Sequence, residues 1–256
     1  MIPHVKKHYN TISISDVHLG TKHCKAHILD DFLKNHSCTT LLLVGDVIDA
    51  WRIQQNKWQW KQSHTNVVRR VLGHAKRGTK VIYVAGNHDE FLRLLIPHNL
   101  SFGNVKVVDS IDITGLNGKR YYVTHGDIFD GVSKLAPWLA FLGDRAYDVA
   151  LCLNSGFNSI RHKLGFKYFG ISKVLKNKVK TAVGFIFEFE KTVITYCKKH
   201  NYDGVICGHI HTPEIKEIDG ITYMNDGDWV ESCTALVENL DGTWEIIHWV
   251  IESKSK

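Results

Sequence analysis

Proline is scarce, four in 256 residues, and none marks a linker between domains. No tract is biased toward glycine, serine or proline, and no segment repeats. That composition excludes a flexible multidomain array and a repeat solenoid. No run of about 18 apolar residues occurs, so no bilayer-spanning helix is predicted. The N-terminal stretch MIPHVKKHYNTISISD lacks the apolar core of a secretory signal. A cytoplasmic protein is expected, at most peripheral on the inner membrane. The six cysteines form no C-x-x-C pair, which argues against a cysteine zinc site. Several lie in apolar runs and read as buried, reduced thiols. What remains is an ordinary soluble composition, long enough for one large core. One domain over residues 1–256 is expected, carrying an insertion.

Five apolar, β-rich runs are each followed by the same kind of polar punctuation. YNTISIS ends in Asp16-Val17-His18, and TLLLVG ends in Asp46. KVIYVAG ends in Asn87-His88-Asp89, RYYVT in His125-Gly126-Asp127, and GVICG in His209-Ile210-His211. Near-continuous apolar runs predict strands buried on both faces. Between them, KAHILDDFLKNH and QSHTNVVRRVLGHAKRG have helical length, so an α/β layered fold follows. Ligands of such folds gather beyond the carboxyl ends of the strands. One strand-end Asp or His is readily a cap or a turn residue; five in the same chain point to a site. The inventory of Asp16, Asp46, Asn87, His18, His125, His209 and His211 is too large for one ion and suits two. Carboxylate with imidazole and no thiolate fits Mn, Fe, Zn or Co better than Ca.

The blocks SDVHLG, VGDVIDAW, AGNHDE, THGD and CGHIHTPEI, in this order, resemble the calcineurin-like metallophosphoesterases. The resemblance implies an α/β/β/α sandwich of two mixed β-sheets flanked by helices. The closing segments GITYMNDGDWVESCTALVENL and TWEIIHWVIE are expected as strands of the second sheet. It also implies two divalent ions, with Mn²⁺ favoured. Asp16, His18 and His211 would hold one, Asn87, His125 and His209 the other, and Asp46 would bridge. His88 diverges from Asn87 and is the expected proton donor to the leaving oxygen. Asp49 and Asp89 are expected to orient a histidine from behind.

Residues 131–190 interrupt the pattern and read as a helical cap insertion. Leu135, Trp138, Leu139 and Leu142 recur at helical spacing. Much of the formal charge of +6 follows between Arg161 and Lys180. Two readings stand. The segment is a packed insertion with a solvated lysine face, or a cap whose Lys173, Lys176 and Lys180 meet phosphates or an anionic membrane surface. Nucleic acid ranks lower, because no recognisable module accompanies the charge. A cap here resembles the UDP-2,3-diacylglucosamine pyrophosphatase branch, which implies a nucleotide- or lipid-linked phosphodiester or pyrophosphate substrate. That branch carries G-N-R-D where this chain has Gly86-Asn87-His88-Asp89. A nuclease or nucleotide phosphodiesterase of the same superfamily, and a non-catalytic scaffold, are the alternatives.

Overall fold

The computed structural model describes residues 6–98, 101–129 and 171–249, with side chains except at positions 54, 101–102 and 171–183. The strands are β1 (Lys7–Ile14), β2 (His36–Val44), β3 (Lys80–Val84), β4 (Ser101–Phe102), β5 (Val105–Val108) and β6 (Ser110–Thr114). They continue as β7 (Arg120–Thr124), β8 (Gly204–Cys207), β9 (Glu214–Ile218), β10 (Ile221–Asn225), β11 (Thr234–Glu238) and β12 (Trp244–His248). The helices are α1 (Ala26–Asn35), the single turn α2 (Trp51–Gln54), α3 (Gln62–Lys76) and α4 (Ile171–Lys199).

One sheet has the order β12-β11-β1-β2-β3-β5-β4, the other β6-β7-β8-β10-β9. In both, parallel strands occupy the centre and antiparallel strands the edges. The apolar run of β2 shows how one stretch serves two layers. Leu41 and Leu43 pack with α1 and α3 through Leu29, Phe32, Val67 and Val71. Leu42 and Val44 pack with Tyr121, Val123, Ile206 and Met224 of the second sheet. Successive strand residues point to opposite faces, so a continuous apolar run is what a strand between two layers needs. Truncating a side chain such as Leu42 to alanine would cost about 2–5 kcal/mol.

The closing strands differ from the sequence expectation. β10 joins the second sheet, but β11 pairs antiparallel with β1 and β12 with β11, so both complete the first sheet. Pairing with β1 places β11 there, and its alternation is satisfied on both faces. Ala235 and Val237 face the helical layer while Leu236 faces the other sheet. Such a strand fits beside β1, whose Ile12 and Ile14 share the helical side.

Contacts group the chain into two units, Met1–Asp127 with Val193–Lys256, and Ile128–Thr192. Every candidate metal ligand lies in the first. Most of the expected cap falls outside the described residues. Lys173, Lys176 and Lys180 fall within α4, but their side chains are outside the description. The described cysteines Cys24, Cys38, Cys197, Cys207 and Cys233 are free and buried. Among the described residues no helix is long and apolar enough to cross a membrane.

Candidate metal centre

β1, β2 and β3 run parallel, so Asp16, Asp46 and Asn87 leave the same sheet edge within three residues of the strand ends. β7 and β8 run parallel in the second sheet, and His125, His209 and His211 follow their ends within four residues. The chain turns sharply at these positions. Asp16, His18, Asp46, His209 and His211 all adopt left-handed φ values, between 49° and 69°. Such a conformation in a non-glycine residue costs of order 1–3 kcal/mol and persists where neighbours hold it. Here the Asp16 N–H donates to the Gly45 carbonyl at 3.1 Å and the His18 N–H to the Asp46 carbonyl at 2.9 Å. The turns also need room. A Cβ on Gly86 would collide with the Asp46 carboxylate, and one on Gly45 with the His125 ring.

Three sets of donor atoms each lie within 4.8 Å of one another: Asp16, His18 and His211; His18, Asp46 and His88; and Asp16, Asp46 and His125. His211 Nε2 is 3.0 Å from Asp16 Oδ1, and His125 Nε2 is 3.3 Å from Asp46 Oδ2. Donors bound to one ion at about 2.1 Å lie roughly 3.0–3.5 Å apart, so these spacings fit a shared ion. Of the buried atoms without a well-formed hydrogen bond, which include His88 Nδ1, three belong to candidate ligands: Asp16 Oδ1, Asn87 Oδ1 and His125 Nε2. Buried polar atoms are normally satisfied, and an oxygen-and-nitrogen metal site would satisfy these.

The other face of several candidate ligands is already committed. The His125 Nδ1–H donates to the Val44 carbonyl at 2.9 Å, which fixes the tautomer and leaves Nε2 toward Asp46. Asp16 Oδ2 accepts from the Ser15 hydroxyl at 2.6 Å and the His209 N–H at 2.9 Å. Asp49 lies between two rings, with His18 Nδ1 and His88 Nδ1 each 3.2 Å from its oxygens. His209 belongs to none of the three sets, but its ring packs edge-on against His125 at 5.1 Å between centroids.

Among the described residues Asp89 bonds no histidine, contrary to the sequence expectation. Its carboxylate accepts from the N–H groups of Val47 at 2.8 Å and Gly86 at 2.6 Å and from the Tyr83 hydroxyl at 2.6 Å. Asp89 immediately precedes the 3-10 helix Glu90–His98, and its side chain turns inward to the backbone beyond β2. It ties the Asp46 loop to the Asn87 loop.

Burial would raise the Asp46 carboxyl, but the His125 imidazole outweighs it and holds it well below the usual range. Burial would lower His125, yet the Asp46 carboxylate holds it well above. The same opposition, burial against a partner, lowers Asp16 beside His211 and Asp49 beside His18 and His88, and raises His211 and His88. Asp89, with Asp46 nearby, is raised by burial.

A sixth polar block, Asn225-Asp226-Gly227-Asp228, supports the centre from behind. Asn225 donates to the Gly208 carbonyl at 2.7 Å, and the Trp229 N–H to the Asp16 carbonyl at 3.1 Å. The Ser15 oxygen is 2.6 Å from both Asp16 Oδ2 and Asp226 Oδ1. One hydroxyl carries one proton, so one of these short contacts draws its hydrogen from a carboxyl. Asp226 fits that role, since burial pushes it up to about 7. The block closes the apolar strand ITYM, the same signal in the sequence as the five ligand blocks carry.

Residues 10–213 match the family model for calcineurin-like phosphoesterases. The chain belongs to the calcineurin-like phosphoesterase family. A UDP-2,3-diacylglucosamine hydrolase of Neisseria meningitidis is 23% identical over 236 residues, covering 84% of this chain and 88% of that one. Among solved structures, the Escherichia coli phosphoesterase YfcE is 15% identical with a TM-score of 0.46, covering 93% of this phosphoesterase and 98% of that chain. Vacuolar protein sorting 29 of Cryptosporidium parvum is 12% identical with a TM-score of 0.42, covering 93% and 94%.

Proposed function

We propose that this phosphoesterase hydrolyses a phosphodiester or pyrophosphate bond with two divalent metal ions, Mn²⁺ being favoured and Fe, Zn or Co alternatives. The observation that carries the reading is the trio of buried donor atoms on Asp16, Asn87 and His125 that make no hydrogen bond. Asp16, His18 and His211 would hold one ion, Asn87, His125 and His209 the other, with Asp46 between them. When bound, such a pair supplies Lewis-acid neutralisation of phosphoryl oxygens and hydroxide at neutral pH.

The chain's own groups do the rest. Asn87 contributes an uncharged oxygen, which limits repulsion of an anionic substrate. His88, half-buried with Asp49 behind its Nδ1 and a raised pKa, keeps a proton on Nε2 to give to the leaving oxygen. Asp49 steadies His18 and His88 together, linking a ligand to the acid. Asp89 and Tyr83 hold the loops that carry Asp46 and Asn87 in register.

The substrate we favour is UDP-2,3-diacylglucosamine or a related nucleotide-linked or lipid-linked diphosphate, on the strength of the distant Neisseria relative. Lys173, Lys176 and Lys180 would meet its phosphates, and peripheral contact with an anionic membrane would bring it within reach. The test is a hydrolysis panel of UDP-diacylglucosamine, other nucleotide-diphosphate sugars, cyclic nucleotides and single-stranded DNA, each with and without Mn²⁺. Release of UMP from the first, dependent on the metal, is the expected result. Cleavage of DNA alone would replace this reading with that of a nuclease.

A further inference from the structure

Away from the ligand-bearing loops, the helical face carries positive charge in excess of its acidic partners. A cleft of about 300 Å³ is lined by Asp30, Arg69, Arg70 and Arg77 among others. A second, of about 360 Å³, is lined by Lys6, Lys34 and Arg70. Arg70 is common to both. Its Nε donates to Asp30 at 2.9 Å, tying α3 to α1. Among the described residues no ion pair or side-chain hydrogen bond is made by Lys6, Lys34, Arg69 or Arg77. The residues lining the two clefts thus include five cations and a single carboxylate, Asp30. The crowding is felt within the protein: burial, then Arg77 and Arg70, lower the Lys6 pKa, and the same arginines add to the effect of burial on His74.

Topology separates this face from the metal centre. Lys6 immediately precedes β1, Lys34 lies in the last turn of α1 before β2, and Arg77 follows α3 before β3. These mark the amino ends of parallel strands whose carboxyl ends bear Asp16, Asp46 and Asn87.

We propose that the paired clefts between α1 and α3 form a second anion site that binds a phosphate-bearing ligand, distinct from the hydrolytic centre. Guanidinium forks match phosphate oxygens two at a time, and three arginines with two lysines suit more than one phosphate. The concave volume is that of a small-ligand pocket. The phosphates belong to a free di- or triphosphate or to a lipid headgroup.

The probe is imidodiphosphate, the non-hydrolysable form of pyrophosphate, with the full-length, metal-loaded protein. Hydrogen–deuterium exchange should show protection over residues 66–77 of the wild type. Arg69→Glu with Arg77→Glu should remove that protection and weaken the binding event by about tenfold or more, while hydrolysis of a small chromogenic phosphodiester is unchanged. Lys34→Glu alone, which leaves α3 untouched, should weaken it in the same direction. Sedimentation with phosphatidylglycerol against phosphatidylcholine vesicles separates the sources. Binding to the anionic vesicles alone, lost in the variants, assigns the phosphate to lipid. Protection confined to the metal-binding loops, or charge reversals that leave both probe and vesicle binding intact, would overturn the proposal.

Discussion

The Trp51 indole lies against the His88 imidazole, ring centroids 4.0 Å apart and planes 32° from parallel. Asp49 takes the edge of the same ring at 3.2 Å, and the Ala50 N–H donates to the His88 carbonyl at 3.0 Å. Asp49, Ala50 and Trp51, the run that leads into the single turn α2, thus hold the proposed acid on three sides. Trp51→Ala should slow hydrolysis of substrates with poor leaving groups, by up to about 100-fold, and spare those with good ones. Trp51→Phe should recover most of the rate. In the double variant with His88→Ala the effects should not add, because one residue acts through the other.

His88→Ala should reduce turnover by roughly 10²–10⁴-fold, the usual contribution of a placed acid, with metal content nearly intact. His88 also falls in a donor set with His18 and Asp46. Elemental analysis of the variant decides between the two roles. A lost ion makes His88 a ligand.

Gly86→Ala should empty the site without unfolding the sheets, since the new Cβ meets the Asp46 carboxylate. Gly184→Ala, where nothing lies within 4 Å, is the control and should retain metal. Metal content and a thermal melt of both variants check this.

Without metal, stability should follow the Asp46–His125 pair. Asp46 is depressed from 3.8, so its contribution is present above that value and lost as pH falls toward its folded pKa. His125 is raised from 6.5, so its contribution is present below that value and lost as pH rises through its folded pKa. The metal-free protein should gain most from the pair between about pH 4 and 6.5. Metal ligation needs the neutral imidazole, so the rise in Tm on adding Mn²⁺ should grow from pH 6.5 upward. A rise in Tm that is flat with pH would show that His125 gives up no proton to the ion.

The ligand-bearing strands were legible because a layer buried on both faces demands unbroken apolar runs, and runs such as TLLLV occur in few other settings. The placement of β11 was not legible. Its alternation fits either sheet, and only pairing with β1 decides. Asp46 and His125 announced themselves by ending such runs. Asp89 stood in the same block, but its neighbours Val47 and Tyr83 lie 42 and 6 residues away, and the sequence does not reveal that it bonds backbone in place of a histidine. Ser15 and Asp226 were hidden for a related reason: the short contact between them joins the residue after β1 to a loop 211 residues on. Trp51 closes the block VGDVIDAW with no role visible in the sequence, and only the fold brings its ring against His88.

The central claim is that two ions act together at Asp46. The direct measurement is a titration of metal-free protein with Mn²⁺, following hydrolysis of a phosphodiester against equivalents added. Activity should rise to a plateau at two equivalents per chain, and Asp46→Asn should abolish the plateau. Full activity at one equivalent, or activity untouched by removal of all metal, would contradict the account.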